Sequence, residues 1–450
     1  MAVWNATHVS HLLGRTLFGY SKNDLSVAQG YGSFADLVDL ALLKDNPAPA
    51  APNSWVNTTP AASQTTSGET GTWYREFNYW WFKLMYKEGL NMQEKMVLFL
   101  HNHFANERDK VVYPQNMYAQ NVLFRKYAFG NFKQLVKEIS IDPAMLIYLD
   151  GHNSRGSAPN ENYARELLEL FTMGIGNYSE TDIKQAAKVL SGWQVSGLKA
   201  NFVSTRWYTE SSVTVLGKTA KFDVNSLVDH IFDQKATAEF ICRKLYKEFV
   251  YYKPNDAFIS QMAAVLRSAN YEIKPLLKFL LTSEEFYKTA YIGSKIKNPT
   301  ELMVGASKLL ELPAPDYINM YELSKVLQMQ LFQPPDVAGW PGIGILARVT
   351  GTVFITRKST EAKRQQEMME ERLRAGHRLL FFPEGTSTDA IHMLPFKTPL
   401  FQAFFTHGME RVMYIQPVTV ISEAPPGRDR RYYGWWADMS FAGHLLQVLA

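Results

Sequence analysis

Two short stretches of this chain carry residue types that could hold a phosphate or another polar ligand. Pro383-Glu384-Gly385-Thr386-Ser387 offers a turn whose glycine lets the backbone approach a ligand, while Glu384 and two hydroxyls supply hydrogen bonds. Arg357, just past a β-rich run, carries a planar fork of donors that suits a phosphate. Earlier in the chain, His101 and His103 stand in alternate positions, and Glu161 and Glu166 lie on one polar helix face. Those four would make a metal site if folding brought them together. In a helix, however, alternate residues point about 200° apart, so both histidines reach one ion only if the helix stops there. Two hydrogen-bonded histidines at a helix end is the other reading.

The elements that must position these groups fall into two styles. Up to residue 341 the pattern is amphipathic helices: His8 to Phe18, Phe34 to Leu43, the aromatic run Trp73 to Tyr86, Met92 to Phe104, Phe124 to Ile139, Pro159 to Gly174, Thr181 to Leu190, and Ser226 to Leu327. A long surface loop is expected at 47–72, rich in Pro, Ala, Ser and Thr. Val213 to Lys218 reads as a small hairpin. On the helix from Pro159, Glu161 and Arg165 are spaced for an i,i+4 pair.

From 342 to 450 strands and helices alternate: strands Gly351 to Ile355, Arg378 to Phe382 and Val412 to Val420, helices Thr360 to Ala375 and Pro399 to Phe405. In an α/β unit, ligands sit beyond the carboxyl ends of strands, which is where Arg357 and the Pro383–Ser387 turn fall. The expected fold is therefore a mainly α N-terminal domain with a small β-hairpin, joined to an incomplete α/β unit.

Composition changes at the same place. Residues 1–342 carry 25 Lys and 9 Arg, and residues 343–450 carry 3 Lys and 10 Arg. Asparagine falls from 22 to none across that boundary, where about seven would be expected at the earlier rate. Lys and Arg serve equally on ordinary solvated faces, so the switch has no folding rationale and points to two genomic origins.

The whole chain, 450 residues with 46% hydrophobic and 20% charged side chains, has the composition of a globular protein rather than a disordered one. A net charge of +4 without a basic run interleaved with aromatics argues against nucleic acid. The single Cys242 excludes an internal disulfide and reads as a small buried hydrophobe. No run of about 18 apolar residues is present, so no spanning helix is expected. Met1 to Asn5 lacks the pattern of a signal peptide, which places the chain in the cytoplasm or peripherally at a membrane.

The motifs carry two resemblances. His101-Asn102-His103-Phe104, Asn160 through Leu170, Gly192-Trp193 and Pro335 through Pro341 resemble the landmark blocks of the bacterial family called domain of unknown function 1800. That resemblance spans residues 1–341 and implies a helical domain without an established activity, from a family whose members are typically exported. Gly351 through Arg357, Phe382 through Ser387 and Gln416-Pro417-Val418 resemble the second, third and fourth blocks of the glycerophospholipid acyltransferases, particularly 1-acylglycerol-3-phosphate acyltransferase. This second resemblance implies that Arg357, Glu384, Gly385, Thr386 and Ser387 bind a glycerol phosphate, with Lys397 as a further charge. It also implies an acyl thioester of coenzyme A or acyl carrier protein as donor, and contact with a glycerophospholipid or membrane surface.

The acyltransferase family's first block is missing. Its mechanism needs a His as general base, with an Asp five positions later to orient the imidazole. None of the ten histidines has Asp at that position, and no His lies between His230 and His377. The chain thus reads as a chimera of a nearly complete helical domain and a truncated acyltransferase fragment without acyl transfer. Two further readings stay open: a natural bifunctional enzyme in which His101 or His103 supplies the base, and a helical metal-binding or surface-associated protein.

Overall fold

The computed structural model describes residues 3–313, 315–327 and 329–333. The chain separates into two units, Met1–Ala347 and Arg348–Ala450, and the described residues all belong to the first. The expected change of fold near 341 and the α/β unit from 342 lie outside the described residues.

The described residues are mainly helical, with two small antiparallel hairpins. Helix α1 (Ala6–Thr16) starts where the Asn5 side chain accepts the His8 N–H at 2.8 Å, and it buries Val9, Leu12 and Leu13. Just beyond its end the chain crosses a later helix so closely that a Cβ on Gly19 would stand 2.5 Å from the Gly305 Cα. Only glycine fits at either position.

The aromatic run forms α2 (Glu69–Lys87), and its stripe is core: Tyr74, Phe77, Trp81 and Phe82 are buried. The expected loop 47–72 is shorter and more ordered than its composition suggested. Ser54–Asn57 and Ala62–Thr66 form short turns of helix, and residues 69–72 already belong to α2. Trp55 and Val56, both buried, pull this polar segment onto the core.

Helix α3 (Gln93–His103) and α4 (Pro114–Lys126) follow. The helix expected from 124 to 139 is broken. Helix α4 ends at Lys126, and the Asn131 side chain, accepting the Gln134 N–H at 3.0 Å, starts a new helix at Phe132–Ile139. Asp142 caps the short α5 (Pro143–Tyr148). Helix α6 (Glu161–Glu166) widens into π-helical turns over Leu167–Met173 and stops at Gly174, whose φ of 78° ends it.

After α7 (Glu180–Val189), strands β1 (Trp193–Ser196) and β2 (Lys199–Phe202) pair in one hairpin, and β3 (Val213–Val215) and β4 (Lys218–Ala220) in a second. The second is the hairpin expected from sequence; Leu216 and Gly217, at φ 48° and 77°, make its two-residue turn. The first was not anticipated. Among the helices that follow are α8 (Lys235–Phe249, with Cys242 buried), α9 (Pro299–Leu309) and α10 (Tyr317–Val326). Buried side chains from nearly all of these elements form one continuous core. Among the described residues no helix is long and apolar enough to cross a membrane.

Candidate functional site

Two of the distinctive sequence blocks of the helical part, His101-Asn102-His103-Phe104 and the helix that begins at Asn160, meet at the C-terminal end of α3. Widening α6 into π turns shifts its last hydrogen bonds and leaves the carbonyls of Leu170 and Phe171 to find partners outside the helix. His103 Nε2 lies 3.0 Å from the Phe171 carbonyl, and Lys244 Nζ on α8 donates to the Leu170 carbonyl at 2.9 Å. Lys244 Nζ is also 3.1 Å from His103 Nδ1. An ammonium can only donate, so Nδ1 is the acceptor and the ring proton sits on Nε2, facing Phe171. Burial, with the Lys244 charge adding to it, holds His103 well below the usual imidazole range. Burial likewise lowers Lys244 to about 8.

His101 points elsewhere, as the helical spacing required. Its Nε2 accepts the Phe332 N–H at 3.1 Å, so its proton is on Nδ1, the opposite tautomer from His103. Burial pushes this ring down to about 4. Phe332 closes an aromatic socket: its ring stacks on Phe77 at 4.3 Å and Trp81 at 5.4 Å, and meets His101 edge-on at 5.3 Å. The Phe332 carbonyl accepts the Arg108 N–H at 2.9 Å. These bonds hold Phe332 at φ 65°, a left-handed conformation that is costly for a bulky side chain.

Glu161 is exposed and Glu166 half-buried, raised by burial and then by the neighbouring Glu169. The expected Glu161–Arg165 pair is not made. Arg165 instead grips Glu180 with two bonds of 2.8 and 2.7 Å, because the capped start of α7 places a better-aimed carboxylate beside it. Glu169 accepts from the Tyr178 hydroxyl. Among the described residues no group of three or more His, Cys, Asp or Glu side chains could hold a metal ion. His101, His103, Glu161 and Glu166 are thus not gathered around one point: the first two are core hydrogen-bonding groups, the last two surface carboxylates.

Several charged groups that sequence reasoning passed over are buried nearby. On α3, Glu94 binds Arg125 of α4 and accepts from Trp81 Nε1 at 2.9 Å. Its neighbour Lys95 enters an ion network with Glu301, Glu248 and Lys295, in which Lys295 Nζ lies 2.9 Å from both carboxylates. Burial pushes Glu248 up, but Lys295 and Lys95 outweigh it and hold the carboxyl at about 2. The available signal was a Glu-Lys pair directly before the apolar run Met96 to Leu100.

Two open clefts flank this region. One of about 390 Å³ is lined by Arg125, Lys126, Lys274, Asp45 and Glu272 among others. The second, about 430 Å³, includes Ser21, Asp24, Glu88, Lys308 and Glu311. Burial and then Glu94 raise Glu88 well above the usual carboxylate range. Each cleft mixes both signs of charge, so neither selects a ligand class. Arg357, Glu384, Gly385, Thr386, Ser387 and Lys397 lie outside the described residues.

Comparison with known proteins divides the chain much as its motifs do. The Acyltransferase family model matches residues 331–421. The lyso-ornithine lipid O-acyltransferase of Rhodobacter capsulatus is 56% identical over 134 residues, 30% of this chain and 49% of that protein. The lyso-ornithine lipid O-acyltransferase of Rhizobium meliloti is 30% identical over 35% of this chain and 57% of its own length. The 1-acyl-sn-glycerol-3-phosphate acyltransferase of Neisseria gonorrhoeae is 26% identical over 25% of the chain and 42% of its own. The chain therefore spans about half the length of the curated relatives it matches. No solved structure matches. The model described as protein of unknown function DUF1800 matches residues 11–368, overlapping the acyltransferase match from 331 onward. With that match covering most of its 450 residues, the chain belongs to the DUF1800 family.

Proposed function

We propose that this chain joins a DUF1800 helical domain to the acceptor-binding part of a lysolipid O-acyltransferase, and that it does not itself transfer acyl groups. The observation that carries the second clause is the want of a His-x4-Asp pair at any of the ten histidines, beside a segment that is 56% identical to a lyso-ornithine lipid O-acyltransferase. Without a base, the attacking hydroxyl keeps its proton. A loss of about 10²–10⁴ in rate follows from removing general-base assistance alone. The surroundings of His101 and His103 support this reading: both nitrogens of His103 are engaged, and His101 is buried against Phe332.

The acceptor class we assign is a lyso-ornithine lipid in preference to 1-acylglycerol 3-phosphate, following the higher identity of the first group of relatives. Arg357, Glu384, Gly385, Thr386, Ser387 and Lys397 are the residues we assign to holding it, and peripheral contact with a lipid surface follows from that substrate. An acyl thioester of coenzyme A or acyl carrier protein would be the donor in an intact enzyme of this kind. Vesicle flotation with and without lyso-ornithine lipid tests the binding half. Enrichment that falls on Arg357→Ala and Glu384→Ala supports the assignment, and equal flotation on both vesicles refutes it.

A further inference from the structure

Asp142 is a buried carboxylate, 7% exposed, held by amides instead of by a cation. Its Oδ2 accepts the Met145 N–H, capping α5, and the Gln120 Nε2–H from α4, each at 2.9 Å. Gln120 Oε1 in turn accepts from Asn106 Nδ2 at 2.8 Å. Asn106 Oδ1, at the far end, is buried and meets no donor. Gln120 and Asn106 are 1% and 0% exposed.

Two carboxamides in series therefore connect a carboxylate to the loop after α3, and the charge on the carboxylate sets which way both face. An ionised carboxylate only accepts. Gln120 must then show it an N–H, turn its oxygen to Asn106, and leave the Asn106 oxygen facing away unpaired. A protonated carboxyl has an O–H to donate. Gln120 can then offer Oε1 to that O–H and its N–H to Asn106, which turns Oδ1 inward. The unpaired end changes from an oxygen to an N–H. One O–H bond forms, with the proton taken from solvent, and no other covalent bond changes.

We propose that Asp142, Gln120 and Asn106 form a proton-sensing relay whose two polarities pass the charge state of Asp142 to the loop between α3 and Arg108. That loop also carries the Arg108 N–H that holds the Phe332 carbonyl. Burial, opposed by the Met145, Gln120 and Ala144 groups, lifts the Asp142 carboxyl to about 7, inside the range where both states are populated.

The surrounding titratable groups are otherwise engaged. Tyr163 of α6, whose ionisation feels Asp142, donates to the Ser140 carbonyl at 2.7 Å. His152, after α5, is 3.0 Å from the Leu146 carbonyl. Lys110 pairs with Asp150 at 2.7 Å, Arg125 of α4 with Glu94, and Glu138 and Lys137, ahead of Asp142, with Lys126 and Asp229. Strand β1 presents no titratable side chain.

Hydrogen exchange by mass spectrometry on the whole chain at pH 6 and pH 8, corrected for intrinsic rates, tests the relay. Protection over residues 104–112 is expected to differ severalfold between the two pH values while α1 is unchanged. Asp142→Asn, which cannot change its charge between these pH values, should show one pattern at both. Equal wild-type protection at both pH values overturns the proposal, and that arm needs no variant to fold. So does a folded Asp142→Asn protein, verified by circular dichroism, that retains the wild-type difference.

Discussion

Phe332 gives the sharpest test of how the helical domain holds the chain where the two family matches begin to overlap. Its ring is 1% exposed and packed against Phe77, Trp81 and His101. Truncating such a ring to alanine costs roughly 3–5 kcal/mol. The backbone adds a second contribution, because φ at this residue is 65°. A left-handed conformation disfavours any residue with a Cβ by about 1–2 kcal/mol, a cost that Phe and Ala both bear and Gly does not. Gly in turn loses about 0.5–1 kcal/mol of unfolded-state entropy relative to Ala. Phe332→Gly should therefore be more stable than Phe332→Ala by about 0.5–1 kcal/mol, the reverse of the usual order. Guanidinium titration followed by circular dichroism measures the global part. Exchange at the Arg108 amide measures the local part, since that N–H rests on the Phe332 carbonyl. An alanine variant as stable as the glycine variant, or a loss below about 1 kcal/mol in both, would refute the socket and its strain.

Other outcomes follow from the same geometry. Lys95→Met should cost roughly 3 kcal/mol, towards the lower end for breaking a buried pair because Lys295 still neutralises Glu301 and Glu248; thermal melts check this. The low Glu248 carboxyl supplies stability that is full above its unfolded value near 4.5 and lost as pH falls toward about 2, and Glu248→Gln should flatten that acid limb. Lys244 runs the other way: the folded state prefers it neutral above about 8, so stability should rise from there toward 10.5, and Lys244→Met should remove that rise from a pH series of denaturation curves. Chelator should leave the melting temperature unchanged, since His101, His103, Glu161 and Glu166 do not converge; a drop of several degrees would restore the metal reading.

The helical character of the described residues was readable because apolar side chains recur with a helical period, as across the aromatic face of α2. Where periodicity ran on past a cap it misled. Phe124 through Ile139 reads as one helix until Asn131 is seen to start a second. The β1–β2 hairpin was hidden because its strands are only four residues each, too short for the alternation of Trp193-Gln194-Val195-Ser196 to stand out. The His-Asn-His block invited a metal reading from types and spacing alone. What decided its role was distant in sequence: the Phe171 carbonyl in the last turn of a helix, Lys244 on α8, and the Phe332 N–H. The ion network of Lys95 escaped the sequence reading, because its partners Glu248, Lys295 and Glu301 could not be paired without the fold.

The central claim concerns what the two joined parts can do, and acyl transfer by the whole chain tests it most directly. The purified protein would be incubated with lyso-ornithine lipid and a labelled acyl–acyl carrier protein, or acyl-coenzyme A, and the lipid products separated and counted. A parallel incubation would supply 1-acylglycerol 3-phosphate, with an intact lyso-ornithine lipid O-acyltransferase as positive control. The account predicts label in the product no higher than in the protein-free blank for either acceptor. Sustained, protein-dependent formation of the diacylated lipid would contradict it and would mean that a base outside any His-x4-Asp pair serves this site.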